Sequence, residues 1–267
     1  MNDFTRKVLH IASIVGHTFS LIEIVGISEH VFSINEEEKN SHAKEIRYNL
    51  ELAVDGGIIE EISREDLDST AIAVAHLHPR TLPEPYEEKN GEPNDSCYHY
   101  QFCHDVWRQK ILSLLLDSYK RDVHTIAARM YEAYTLDALE SDCDANMKLF
   151  RHLKESGNAS GAADWALVLG KKFTRRDLNL HSIRLYDEAL DSWRRGQGYT
   201  NDCNSIVGFP PQVIDSINKD DLTSIIKLLT ALGQTFGSLS RQLESARAFE
   251  SALEVSGIVC CISSPLL

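Results

Sequence analysis

Six residues recur at identical spacing in two stretches of the C-terminal half, and this internal repeat limits the possible fold more than any other feature. Each copy places small residues and large apolar residues in a pattern typical of two packed helices: small residues permit close approach, and aromatic residues fill the remaining space. The sequence therefore predicts two similar helical hairpins. The two sets are Leu169, Gly170, Phe173, Ser182, Tyr186 and Ala189, and Leu232, Gly233, Phe236, Ser245, Phe249 and Ala252.

The repeat resembles the tetratricopeptide repeat (TPR). It departs from that family because Ser182 and Ser245 occupy positions where the family usually has alanine, and because the copies are separated by more than one repeat length of about 34 residues. A connection that contains Gly, Asn and Pro, residues 196–211, is expected to interrupt the stack. The resemblance implies a degenerate TPR-like region of antiparallel helices over residues 146–256, whereas residues 257–267 are expected to form a disordered or atypical tail.

The N-terminal half combines helical segments with short β-like runs. Helical spacing of apolar residues predicts a first helix that ends at Gly16, and Ser20 with Glu23 has the signature of a capping box at the start of a second. A third helix is expected to end at Gly56 and Gly57, while residues 36–41 form a solvated connection. The predicted strands are residues 58–62, 71–76 and 97–102.

Residues 79–95, between the second and third β-like runs, hold four of the chain's seven prolines and several acidic residues. Such a segment cannot form a regular hydrogen-bond ladder or bury much apolar area, so we expect a long acidic and proline-rich loop. Two interpretations are open, a docking or regulatory loop and a tolerated surface insertion.

Two amphipathic helices are predicted after the third β-like run. Each has apolar residues at helical spacing, which indicates a buried face. The first carries Trp107, Ile111, Leu114 and Leu115, and the second carries Val123, Ile126, Ala127 and Met130.

Several short segments of this half, taken in order, resemble the winged-helix domain that follows the nucleotide-binding core in STAND signalling ATPases. These proteins are relatives of the AAA+ and NB-ARC ATPases, and some lie downstream of cyclase domains in soluble adenylyl cyclase-like (class III nucleotide cyclase) proteins. The resemblance covers about residues 3–135 and implies a winged-helix domain over residues 1–135 that helps to hold a nucleotide-dependent switch. Its matching residues are Ala12, Ser13, Gly16 and Phe19, the run from Tyr100 to Arg108, and Arg121, His124, Ala127 and Glu132.

The candidate binding residues are His104 and Asp105. Cys103-His104-Asp105 resembles the Met-His-Asp motif of NB-ARC proteins, which implies that His104 contacts ADP or ATP phosphates when an ATPase core lies upstream. A histidine near the start of a helix can donate to a phosphate oxygen, and the helix N-terminus favours negative charge. Asp105 would cap that helix or orient the ring. The alternative is that both residues only make capping and internal hydrogen bonds.

The sequence lacks the phosphate-binding loop that nucleotide binding in such an ATPase requires. Gly-x-x-x-x-Gly-Lys-Ser/Thr does not occur, and the nearest approach, Gly157 to Gly161 followed by Gly170-Lys171, has the wrong spacing within predicted helical sequence. We therefore expect no cofactor within this chain, with ATP or ADP bound in a larger parent protein of which the chain is a fragment. A stand-alone scaffold that kept only interaction modules is the alternative.

Neither a metal site nor a catalytic site is expected. Cys97, His99 and Cys103 could share one face of a strand, with His76 and His78 on another, but the ligand spacings of zinc sites are missing. Acidic pairs such as Glu60-Glu61 lie in charged sequence without an apolar pocket to separate their pKa values. An enzyme with an unrecognised site is the less favoured reading.

Net charge limits the partners. At −13, the chain repels phosphate backbones and anionic lipids, so neither nucleic acid nor a membrane surface is an expected partner. No apolar stretch approaches the ~20 residues of a membrane span, and six scattered cysteines fit the reducing cytoplasm. The sequence thus predicts a mainly α, non-catalytic regulatory chain whose partners are proteins, bound through the helical repeats or an upstream ATPase domain.

Overall fold

The computed structural model describes residues 1–62, 98–138, 143–196 and 219–263. It contains two compact units, Met1–Ser141 and Asp142–Leu267, which we call unit 1 and unit 2. The described residues form ten helices and one small three-stranded sheet. The prediction of a mainly helical chain with a small β component is therefore confirmed.

Unit 1 alternates helices with the strands of its antiparallel sheet. In chain order its elements are α1 (Asp3–Val15), β1 (Thr18–Ser20), α2 (Leu21–Val31), α3 (Lys39–Asp55), β2 (Ile59–Ile62), β3 (His99–Phe102), α4 (Asp105–Ser113) and α5 (Asp117–Ala138). Strand β3 lies in the centre, so that the order across the sheet is β1-β3-β2.

The predicted helix boundaries of unit 1 have local causes that the structure shows. The N–H of Gly16 donates to the carbonyl of Ala12 at 3.1 Å and ends α1. At the start of α2, the Ser20 N–H donates to Glu23 Oε2 at 2.7 Å while the Glu23 N–H donates to Ser20 Oγ at 3.3 Å. Gly57, with φ 66°, takes the left-handed conformation after α3 that glycine tolerates without a steric penalty.

The strands and connections of unit 1 differ from expectation in two places. Strand β1 was not predicted; its three residues, Thr18–Ser20, become a strand by pairing with β3, a tertiary effect that their own sequence does not carry. Helix α3 begins at Lys39, inside the run 36–41 that was expected to be a connection. Strands β2 and β3 lie within the first and third predicted runs, whereas the second run, 71–76, and the acidic loop 79–95 lie outside the described residues.

The core of unit 1 forms where α1 packs against α2, α3, α4 and α5. The rings of Phe19, Tyr100 and Phe102 join the sheet to this core, with the Phe19 centroid 5.9 Å from Tyr100 and 5.8 Å from Phe102. Helix α5 buries Val123 and Ala127, as predicted, with Ile126 and Met130 half-buried.

The predicted buried face of α4 is only partly buried. No side chain of this helix is fully buried; Trp107 is 45% exposed and Leu114, just after the helix, is 70% exposed. Helix α4 contacts α1 and β3 and is tied to α1 by Arg108, whose Nε donates to the carbonyl of Ser13 at 2.9 Å. Ile111 and Leu115 of the predicted face are half-buried. The described elements therefore cover only part of the face that amphipathic spacing predicted.

Unit 2 is entirely helical in its described part. It contains α6 (Cys143–Ser156), α7 (Ala159–Thr174), α8 (Asn179–Gly196), α9 (Lys219–Ser238) and α10 (Gln242–Ser263). Successive helices pack as hairpins α6–α7, α7–α8 and α9–α10, and α9 also packs against α7 and α8. Most of the predicted connection 196–211 lies outside the described residues.

Two features of unit 2 differ from what the sequence suggested. Gly157 lies in the α6–α7 turn with φ 84° rather than within a helix. Helix α10 continues to Ser263, so the first seven residues of the expected tail, 257–263, are helical. Residues 258–263 are mostly apolar and include neither Gly nor Pro, so they can extend a helix as readily as they can form a tail.

Candidate functional site

His104 lies at the junction of β3 and α4, where it is the N-cap of the helix. Its backbone is extended, with φ −142° and ψ 136°, its side chain is exposed, and that side chain makes no capping hydrogen bond. The imidazole is therefore available to solvent beside the positive end of α4. A ring in this position can donate to an anion.

Asp105 is the first residue of α4 rather than its cap. Its carboxylate accepts a hydrogen bond from Gln109 Nε2, lies 3.7 Å from Arg108 Nη1 and lies 4.0 Å from His17 Nδ1. Within the described part of the chain, no hydrogen bond joins the Asp105 and His104 side chains. Asp105 therefore places a negative charge in the first turn of α4, where the helix dipole favours it, and its role in orienting the His104 ring stays a prediction.

Backbone hydrogen bonds fix the position of this junction. The Phe102 N–H donates to the carbonyl of His17, and the Cys103 N–H donates to the carbonyl of Ile58, at 3.0 and 3.1 Å. Both bonds continue the sheet just past its ends. His104 is thus held by β3, while Arg108 one turn later ties α4 to α1. This role of Arg108 was not predicted. The sequence indicated it only by placing a basic residue next to apolar ones.

The structure describes only some of the residues that were considered as metal ligands. Cys97, His76 and His78 lie outside the described residues. His99 is the first residue of β3 and Cys103 directly follows its last. In the described part of the chain no three His, Cys, Asp or Glu side chains are grouped as metal ligands.

In unit 2, the repeated residues meet at two equivalent close contacts. Ser182 Oγ donates to the carbonyl of Gly170 at 2.8 Å, and Ser245 Oγ donates to the carbonyl of Gly233 at the same distance. Both serines are buried. A hydroxyl at this position fastens the second helix of each hairpin to the backbone of the first, which an alanine cannot do. These hydrogen bonds were not predicted. The sequence could have indicated them, because both repeats have serine where the TPR pattern usually has alanine.

The turns of the two hairpins match as closely as their helices do. Asp177 and Ser240 each have φ 59°. The next residue in each turn donates its N–H at 2.9 Å to the carbonyl five residues earlier, Leu178 to Phe173 and Arg241 to Phe236. The two hairpins therefore share contacts and turn conformation.

One acidic group of unit 2 has a strongly altered acidity. The pKa of Asp187 is raised from 3.8 to about 6, chiefly by burial and further by the neighbouring Asp191 carboxylate, while Arg194 and Arg241 partly oppose the shift. Asp191 itself pairs with Arg194 at 2.6 Å, and Arg241 pairs with Glu244 at 2.8 Å. Each of these cations therefore also neutralises another acid, so the negative charge of an ionised Asp187 is only partly offset.

Comparison with known proteins identifies no relative: no protein-family model, curated protein or solved structure matches the chain. In the described residues, no helix has both the length and the apolar character needed to cross a bilayer.

Proposed function

We propose that this chain is a non-catalytic regulatory and protein-interaction region of a larger cytoplasmic signalling protein, of the STAND ATPase or nucleotide cyclase-like kind. In this proposal, unit 1 is a winged-helix domain and unit 2 is a degenerate TPR-like region. The partners are proteins, bound by the helical repeats or supplied by an upstream ATPase domain. Neither nucleic acid nor a membrane is a partner.

The order of elements in unit 1 carries the proposal. Helix, strand, two helices and two further strands follow one another, and the last strand pairs between the first two in an antiparallel sheet. A winged helix has this succession of three helices and a small sheet, with the wing between its last two strands. The predicted acidic loop lies at the corresponding place in the sequence, between β2 and β3.

The two matched hairpins support the proposal for unit 2. Each places a glycine of its first helix against an aromatic ring of its second, Gly170 against Tyr186 and Gly233 against Phe249. Such small-to-large packing is the basis of stacked helical repeats, which present extended surfaces to protein partners.

The proposed regulation uses unit 1 as one part of a switch. The winged helix would hold or release a neighbouring ATPase, with the exposed His104 in contact with nucleotide phosphate in one state only. Such an element couples two sites only when each state makes different contacts. A stand-alone scaffold is the alternative, and it would bind its partner peptide with the same affinity whether or not ATP or ADP is present.

The test is nucleotide binding and turnover by the purified chain. We expect neither measurable binding of fluorescent ADP nor turnover of ATP or of esterase and phosphatase substrates. In a protein that joins this chain to its ATPase core, His104→Ala should weaken ADP binding, while His30→Ala, at another exposed histidine of unit 1, serves as the matched control. Turnover by the isolated chain would show an enzyme and contradict the proposal.

A further inference from the structure

Helix α4 exposes a row of large apolar side chains on its outer side. Val106 is 74% exposed, Leu114 is 70% exposed and Trp107 is 45% exposed. With 3.6 residues per turn, positions 106, 110 and 114 fall in one line along the helix, and Trp107 lies beside that line. We call Val106, Trp107, Lys110 and Leu114 the α4 row. Single exposed apolar residues are ordinary, whereas a contiguous set marks a binding surface.

The inner side of α4 explains why the row stays exposed. The helix is fastened by Arg108, which is 24% exposed in its side chain and reaches the carbonyl of Ser13 at 2.9 Å. It contacts α1 and β3 on that side. The anchor fixes which way the helix faces, so the α4 row points away from the core of unit 1.

The positive charge of Lys110 limits which partner can cover the α4 row. It lies one turn from Val106 and one turn from Leu114, in the middle of the apolar side chains, and it forms no ion pair with any residue in the described ranges. The nearest acid of the helix, Asp105, is already engaged by Arg108 and Gln109. Because an ammonium removed from water without a partner is costly, the occupant must supply a carboxylate at this point.

The same lysine argues against two other occupants. In a symmetric contact between two copies centred on the row, Lys110 of one copy would face Lys110 of the other, which places like charges together. An anionic lipid surface could neutralise Lys110, but it would present many negative charges to a chain whose net charge is −13. A protein segment needs only one acidic side chain at the centre of its apolar face.

We propose that the α4 row is a docking surface for an amphipathic helix of a partner protein, which carries apolar side chains one turn before and one turn after a Glu or Asp. The carboxylate pairs with Lys110, and the apolar side chains cover Val106, Trp107 and Leu114. A single short helix offers less area than a standard interface, so the complex is transient. The surface belongs to unit 1 and is separate from the helical repeats proposed above as the main partner site.

A pair of synthetic helical peptides tests the proposal with the full chain. One has leucine one turn before and one turn after a central glutamate; its twin has lysine at the centre. Fluorescence anisotropy of the labelled peptides should show binding of the glutamate peptide, weakened at least about tenfold by Lys110→Glu. The lysine twin should show the reverse preference. Leu114→Ser should weaken both complexes.

Leu253→Ser is the matched control, because Leu253 of α10 is also 70% exposed and lies in unit 2. It should leave both affinities unchanged, and circular dichroism should show that every variant is folded. The proposal is overturned if neither peptide binds, or if binding does not respond to Lys110→Glu and Leu114→Ser. It is also overturned if Leu114→Ser abolishes self-association of the chain, or if Lys110→Glu abolishes binding to phosphatidylserine vesicles.

Discussion

At the scale of single residues, the two copies of the repeat differ in how tightly they hold the same contact. A Cβ added to Gly170 would overlap the ring of Tyr186, whereas one added to Gly233 would lie 3.0 Å from the ring of Phe249. Tyr186 is 1% exposed and Phe249 is 37% exposed. The Phe249 ring can therefore move outward, while the Tyr186 ring is enclosed by other side chains.

Gly170→Ala and Gly233→Ala should consequently have different effects on the free energy of unfolding of unit 2. Forcing a methyl group against an enclosed ring costs about 1–3 kcal/mol, which should outweigh the gain of up to ~1 kcal/mol that alanine brings to a helix interior. Gly170→Ala should therefore be destabilising, and Gly233→Ala should be near neutral or stabilising. Urea unfolding followed by tryptophan fluorescence measures both. Equal losses would show that the two contacts are equally rigid.

The buried hydroxyls should contribute about equally to the two hairpins. Ser182→Ala and Ser245→Ala each remove a donor to a helix carbonyl, and the expected loss is about 1 kcal/mol for each. The same urea experiment applies. A gain in stability on replacing either serine with the usual alanine of the family would contradict the assigned hydrogen bonds.

Asp187 should make the stability of unit 2 depend on pH. Its pKa is 3.8 in the ordinary case and about 6 in the fold, so the folded state holds the extra proton between these values, and stability falls as the pH rises through that window. At neutral pH, Asp187→Asn should stabilise the fold by about 1–2 kcal/mol, since partial exposure reduces the full linkage effect.

The control for this prediction is the same pair of proteins at a pH below 3.8, where the carboxyl is protonated in both states. The advantage of Asn over Asp should shrink progressively from the upper to the lower end of the window. An advantage that does not change with pH would mean that packing, and not the buried charge, explains the effect.

At the scale of elements, the start of α2 depends on a local hydrogen-bond pair. Ser20→Ala removes the acceptor for the Glu23 N–H and should destabilise unit 1 by about 1 kcal/mol, whereas Ser20→Gly should cost only a few tenths of a kcal/mol. Thermal unfolding by circular dichroism distinguishes the two. If both variants unfold like the native chain, the capping box does not stabilise α2.

These local signals explain which parts of the fold could be predicted from the sequence. Gly16, the Ser20 and Glu23 pair, and Gly57 act within a few residues of their own position, so their patterns are sufficient. The repeated residues of unit 2 predicted paired helices because a hairpin contact joins positions close in sequence. Strand β1 could not be predicted in this way, since Thr18–Ser20 is a strand only by virtue of its partner Tyr100 and its neighbours in β3.

Helix α4 and the candidate site show a second limit. Periodicity locates an apolar face but not the element that covers it, which is why Trp107 and Leu114 were expected to be buried. Likewise, the motif around His104 indicated a residue near a helix start, and the structure places it there as an exposed N-cap. The local pattern specifies where the imidazole lies but not what it contacts.

At the scale of the whole molecule, the chain divides into two compact units. Unit 1 offers an exposed histidine at a helix start and an exposed apolar row on α4, and unit 2 offers stacked hairpins. These features agree with the proposed regulatory region of a larger signalling protein, in which each would act through another protein surface.

The most direct test of this central claim is the sequence of the complete transcript that encodes the chain, read upstream through the codon for Met1. The account predicts an open reading frame that continues upstream and encodes a phosphate-binding loop, Gly-x-x-x-x-Gly-Lys-Ser/Thr, followed by the acidic residue that binds magnesium. A stop codon in frame shortly before Met1, with no upstream ATPase sequence, would contradict it and leave a stand-alone interaction protein.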